Sequence, residues 1–330
     1  MSDTDLQKEL FNVIKNVIPA HVSMVDAIAD LLNISYDSVY RRIRGEKPIQ
    51  LHELKILCEH FNLSLDQVLQ LKSDKVLFQA PALGSGTVKF ADYLRGVLDQ
   101  FKYFSSFEQK EMFNLCKDLM LWDFYLFPEM ASFKTFFWAK TIHNDASLRT
   151  SKFSLKEDPF TDCFEIGQQI LKAYKKIPTT ELWNLESINS TINQIGYYKE
   201  AGLFKSKDDF TEVVNSFHKM LDHLQLQAEK GIKFMPGTTE ISGSAPVKLY
   251  INELIIGNNT YLLLLDGKLS VTVTYGVLSF MTTQDARFSQ KAFESFNTLL
   301  SRATLVSGTG EKDRNKLFNA YREKVEKMRD

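Results

Sequence analysis

Three arginines fall within four residues at Arg41, Arg42 and Arg44, in the stretch SYDSVYRRIRGEK, which Lys47 closes. A guanidinium presents a rigid fork of donors that matches guanine O6 and N7, or a phosphate, so the chemistry on offer is recognition of double-stranded DNA. Position on a helix decides which role each group takes. With residues 35–44 helical, Val39 and Ile43 lie four apart and define an inward face. At about 100° per residue, Asp37, Ser38, Arg41 and Arg44 point away from that face, with Tyr36, Tyr40 and Arg42 on its flanks. Arg41 is then placed to grip a guanine, and Ser38 adds a hydroxyl to the same base-reading face. Arg42, Arg44 and Lys47 are placed for phosphates, which fix register without reading sequence. Asp37 has two readings, an acceptor for cytosine N4 or a partner of the helix dipole. Arg42 also has two, a phosphate contact or an ion pair with Glu46.

The segment before the arginines has the residues needed to aim such a helix. Ala29 is small enough for two helices to cross closely, and Asn33 tolerates the left-handed conformation that ends a helix. Ile34 plugs the space between the helices, Ser35 offers a hydroxyl N-cap, and Asp37 puts negative charge in the first turn. A tight helix-turn-helix is the expectation. Apolar spacing predicts helices over about 5–18, 23–32, 35–44 and 51–61, and a short fifth after Ser64. These make a five-helix bundle over residues 1–73.

About the first 70 residues resemble the phage-repressor and Cro-like helix-turn-helix family, also called the xenobiotic-response-element family. The likeness is carried by Ile28-Ala29 and Leu31-Leu32 before the turn, Ile34-Ser35 within it, Val39, Arg42, Ile43 and Gly45 after it, Pro48, and the closing LKILCEHFNLSLDQVL. It covers about the first 70 residues and nothing beyond. The resemblance implies base contacts from the start of the third helix, here Tyr36, Asp37, Tyr40 and Arg41. Two residues depart from the family pattern: Tyr36 stands where glutamine is common, and Asn33 replaces the usual turn glycine.

Beyond the bundle, FQAPALGSGT concentrates Pro, Gly and Ser and marks a linker over residues 74–87. Residues 88–230 read as helical, with helices at about 88–104, 107–126, 129–143, 162–176, 180–202 and 208–230. Trp122, Phe124, Tyr125, Phe127, Phe136, Phe137 and Trp138 crowd part of this region, as core or as the lining of an apolar pocket. Residues 231–330 read as α+β. A small antiparallel sheet is expected near 247–283, with a type I′ hairpin at Asp266-Gly267 and TYLLLL as a central strand, followed by two helices. The fold class is therefore mainly α with a C-terminal α+β part.

Composition narrows the functions. The formal net charge is -1 over 330 residues, and the first 75 carry nine Lys and Arg against eleven Asp and Glu, so any attraction to DNA must come from a local patch. Cys58, Cys116 and Cys163 are odd in number and lack metal-ligand spacing, which suits a reducing cytoplasm. MSDTDLQKEL has acidic residues where an export signal has basic ones. Asp123, Pro128, Glu129 and Lys134 interrupt the most apolar stretch before it could span a bilayer. His218 and His223 are five apart, on different helix faces, and no phosphate-binding, dinucleotide or nucleophile-elbow motif occurs. No enzymatic activity, catalytic residue, metal or cofactor is therefore expected. The expected function is that of a cytoplasmic transcriptional regulator: the third helix reads the major groove, and residues 88–330 form a homodimer with scope for a small-molecule or peptide effector. The alternative is a sensing adaptor that uses the helical bundle for protein contacts.

Overall fold

The computed structural model describes residues 3–19, 22–63, 65, 76–80, 89–238, 242–253 and 257–329, with side chains from residue 6 onward. The chain divides into two compact units, residues 1–77 and 78–330.

In the first unit α1 (Asp3–Val17), α2 (Met24–Leu32), α3 (Tyr36–Ile43) and α4 (Leu51–His60) enclose one core. Leu10, Phe11 and Ile14 of α1 meet Ile28 and Ala29 of α2, Val39 of α3 and Leu57 of α4, and Ile34 and Ile43 pack around them. The turn has the expected chemistry. Asn33 is left-handed at φ 50°, the Ile34 amide closes on Ala29 O at 3.0 Å, and the Ser35 hydroxyl accepts from the Ser38 amide at 3.3 Å. The fifth helix expected after Ser64 falls on residues outside those described, apart from Leu65.

The second unit differs from the expectation of a small antiparallel sheet. Among the described residues it holds a seven-stranded mixed sheet in the order β6-β5-β4-β1-β2-β3-β7. The strands are β1 (Lys110–Leu115), β2 (Thr179–Trp183), β3 (Val247–Ile251), β4 (Thr260–Leu265), β5 (Lys268–Thr274), β6 (Phe280–Thr283) and β7 (Thr304–Leu305). β1, β2 and β3 run parallel, and the outer pairs are antiparallel. β1 and β2 lie within the region read as helical: the expected helix 107–126 is β1 followed by a 3-10 segment, Leu121–Leu126, and the expected helix 180–202 is β2 followed by α8 (Asn189–Glu200). A short central strand covered on both faces shows no polar–apolar alternation, and β2 is buried along its whole length.

Other expected elements of this unit are present. TYLLLL is an interior strand, and Asp266 and Gly267 both have positive φ, as a type I′ hairpin requires. The helices are α5 (Phe90–Ser105), α6 (Pro128–Phe137, continued by a π turn to Ile142), α7 (Thr161–Tyr174), α8, α9 (Lys207–Lys230), α10 (Ala286–Leu300) and α11 (Glu311–Glu326). α10 covers one face of the sheet with Phe288, Ala292, Phe296 and Leu299. The opposite face is covered by the main core, to which α5–α9 and α11 contribute. Phe318, Tyr321 and Val325 of α11 are buried within their own unit. Part of the expected linker is also structured, since Gln79 exchanges two backbone hydrogen bonds of 2.8 Å with Thr282 of β6. Residues 81–87 of that linker lie outside those described. No helix among the described residues is long and apolar enough to cross a membrane.

Candidate nucleic-acid interface

α3 is fixed from its inner side. Val39 is fully buried, Ile43 packs beside it, and the Ser35 cap sets the start of the helix. Asp37, Tyr40 and Arg41 are exposed, and Tyr36 keeps 55% of its surface despite its size. Ser38 is half-buried and its hydroxyl lies 3.1 Å from Ser35 Oγ, so it belongs partly to the cap. The fold thus brings Tyr36, Asp37, Tyr40 and Arg41 onto one free face.

Arg42 does not join that face. It is 2% exposed, and its guanidinium meets Glu53 of α4 in a two-point contact, Nη2 to Oε1 at 2.6 Å and Nε to Oε2 at 3.1 Å. Nη1 donates back to Ser38 O at 3.1 Å. Its assignment to phosphate is therefore withdrawn, because its donors are directed inward. The ion-pair alternative holds in kind, but the partner is Glu53, eleven positions on, and not Glu46. Glu53 Oε2 also accepts from the Gln50 amide at 3.1 Å and so caps α4. Burial pushes the Glu53 carboxyl up, yet the bonds from Arg42 and Gln50 outweigh it and hold the group below its ordinary range. One ion pair thereby joins the middle of α3 to the first turn of α4.

Two further residues shape the site: Gln7, which the sequence does not single out, and Glu46, which the sequence offers as a partner of Arg42. Gln7 of α1 donates to Arg42 O at 2.6 Å and Lys47 O at 2.8 Å, and accepts from the Ile49 amide at 2.9 Å, which holds the loop after α3 in place. Nothing local to Gln7 signals this, since its partners lie 35–42 residues away. Glu46 receives Arg44 at 2.6 and 3.0 Å and stands 3.9 Å from Arg41. The hydrogen bond from Arg44 keeps the Glu46 carboxyl below its usual range despite a small opposing effect of desolvation. Exposed pairs of this kind are weak and salt-screened, so a phosphate can displace Glu46. Lys47 is exposed beside them.

The second unit holds a cavity of about 370 Å³ over β1, β4 and β5, within the usual range for small-molecule sites. Trp122, Phe124 and Trp138 of the aromatic run line it, whereas Tyr125, Phe136 and Phe137 are core. Lys134, noted in the sequence only as an interruption of an apolar stretch, is part of the wall. Cys116 and Cys163 are buried free thiols, and no group of three or more metal-ligating side chains occurs among the described residues.

Residues 14–95 match the family model of the BetR domain, a DNA-binding helix-turn-helix-type domain of transcription regulators. The match runs from within α1 to the start of α5 and covers about a quarter of the chain. It is to this family, and not to the phage-repressor and Cro-like family that the segment resembles. Neither the curated proteins nor the solved structures give a match.

Proposed function

We propose that the chain is a DNA-binding transcription regulator that inserts α3 into the major groove. Tyr36, Asp37, Tyr40 and Arg41 meet base edges, Ser38 contributes from the edge of its cap, and Arg44 and Lys47 hold phosphates on either side. The observation that carries this reading is the division of α3 into two sides. One is locked to the bundle by Val39, Ile43 and the Arg42–Glu53 pair, while the other leaves two aromatic rings and two guanidinium groups at the surface. The similarity to the BetR domain supports the same reading. The second unit acts as the dimerising and ligand-sensing part and carries no enzymatic activity. A single small helix-turn-helix reaches only a few base edges, and two on half-sites a helical turn apart supply useful specificity.

Genome-wide mapping of DNA bound to the full-length protein tests the proposal. The expected result is a discrete set of sites sharing a two-fold-related motif, lost when the surface of α3 is changed by Tyr40→Ala with Arg41→Ala. Recovery of partner proteins with no enriched DNA motif would instead favour the adaptor reading.

A further inference from the structure

The cavity of the second unit lies over β1, β4 and β5 and extends past the carboxyl end of β1, beside the boundary where the sheet changes from parallel to antiparallel pairing. Open α/β sheets commonly bind ligands outside the carboxyl ends of their strands. Rings form a large part of its wall, including Tyr93, Phe101, Trp122, Phe124, Trp138 and Tyr261, and neutral polar side chains such as Thr191, Gln194 and Asn259 form much of the rest. Two lysines belong to the lining, Lys117, which is exposed, and Lys134, which stands deep in the wall. Lys134 is 3% exposed, yet among the described residues it makes no ion pair within 4 Å. Its ammonium is held over the faces of Phe124 and Trp138, 4.1 and 4.9 Å from the ring centroids, an arrangement that favours the charged form. It donates to Thr191 Oγ1 at 3.2 Å and to Gln194 Oε1 at 2.6 Å. An ammonium has three N–H groups, so one is left over. The same wall contains the buried Trp122 Nε1, a donor that meets no partner among the described residues. Asp118 also lines the cavity and acts on Lys134 through space, but it is not within ion-pair distance.

A buried cation fixed by rings and neutral acceptors, with a spare donor and no counter-ion, calls for an anion supplied from outside. Of the charged groups that line the cavity, the exposed Lys117 is matched in charge by Asp118, which leaves the buried Lys134 as the surplus cation and suits a single negative charge. At about 30 Å³ per water-sized volume, the space accommodates roughly a dozen non-hydrogen atoms. We infer that the cavity binds a small organic monocarboxylate with an aromatic or branched apolar body, its carboxylate on Lys134. The inference deepens the sensing role proposed for this unit and rests on it, but binding is measured without DNA, so the fate of the operator reading does not decide it.

The test uses full-length protein and two matched pairs of probes, phenylacetate with phenylacetamide and indole-3-acetate with its amide. Calorimetry and quenching of the cavity tryptophans report binding. The acid of at least one pair is expected to bind ten-fold or more tightly than its amide. Lys134→Met should bring acid and amide within about two-fold of each other. Gln194→Glu, nearly isosteric and half-exposed, places a carboxylate of the protein on the same ammonium. It should weaken acid binding at least ten-fold and leave amide binding unchanged. Equal binding of acid and amide by the wild type, absence of binding to all four probes at millimolar concentration, or an acid preference that survives in whichever of the two variants folds, overturns the inference.

Discussion

Replacing Arg41, Arg42 and Arg44 by alanine one at a time should give three different outcomes, because the three guanidinium groups have different surroundings. Arg41 is exposed opposite the buried face of α3, so Arg41→Ala should leave melting unchanged, cost about 1–3 kcal/mol on the operator and relax preference at one position per half-site. Arg44→Ala should weaken operator and scrambled DNA alike and make the salt dependence shallower, since a phosphate contact releases counterions regardless of base. Arg42→Ala leaves the buried Glu53 carboxylate without its partner, and the first unit should lose about 3 kcal/mol or more before any DNA is added. Binding isotherms at several salt concentrations, with thermal melts beside them, separate the three. A different residue sets a pH dependence. Burial holds the Lys134 ammonium down to about 7 against some support from Asp118, whereas in the unfolded chain it titrates near 10.5. From pH 7 upward the unfolded state therefore keeps a proton that the folded state has lost, and stability rises with pH by at most about 1.4 kcal/mol per unit. Above about pH 9 the buried Cys116 and Cys163 thiols, whose pKa values burial raises, reverse the trend. Lys233 is also held down to about 7, while burial raises the neighbouring Asp123 carboxyl, so the two shifts act against each other on this slope. Melting temperature should climb from pH 7 to 9 in the wild type and climb less in Lys134→Met.

Individual elements differ in how far their sequence announces them. The α2–α3 turn depends on Asn33, Ile34 and Ser35, each acting within five residues of its own position, so the motif can be read from the chain directly. β1 and β2 could not be read that way. KEMFNL and TTELW become strands because each finds partners on both sides, and those partners lie about 65 to 150 residues away. Helical spacing puts Arg42 on a flank of α3 and leaves phosphate and carboxylate both open, because the Glu53 that draws it inward stands on another helix. Lys134 acquires its surroundings from Thr191 and Gln194 on α8. α7 supplies a prediction at this scale. Gly167 faces the ring of Tyr125, where an added Cβ would overlap ring carbons, and Tyr125 is itself fully buried with its hydroxyl 3.1 Å from Thr135 Oγ1. Gly167→Ala should force α7 outward and cost about 3 kcal/mol in denaturant melts, whereas Gly196→Ala, with open space at its Cβ, should be neutral or slightly stabilising. Equal effects of the two changes would show that the α7 crossing tolerates more room than its packing implies.

For the molecule as a whole, the proposed reading requires two copies. Full-length protein should sediment as a dimer at micromolar concentration, and residues 1–77 alone should bind operator DNA at least a hundred-fold more weakly, because the second half-site contact is no longer intramolecular. A monomer on and off DNA would remove the dimer from the proposal. Phe318, Tyr321 and Val325 of α11 are already buried in their own subunit, so changes to these residues should unfold the second unit before they alter the oligomeric state. The sheet order also has a consequence during synthesis. β1 pairs with β4 from Lys110↔Leu265 to Leu115↔Thr260, and at about 5–20 residues per second the ribosome needs roughly 8–30 s to make the chain between them. Until β4 emerges, the edge of β1 that it will cover has no strand from its own sheet, and an unpaired edge is a template for pairing with other chains. The first unit has by then been fully translated. A nascent chain therefore presents α3 well before its sheet can close, and expression yield should depend more on chaperones that shield β1 than on any step in folding the helical bundle.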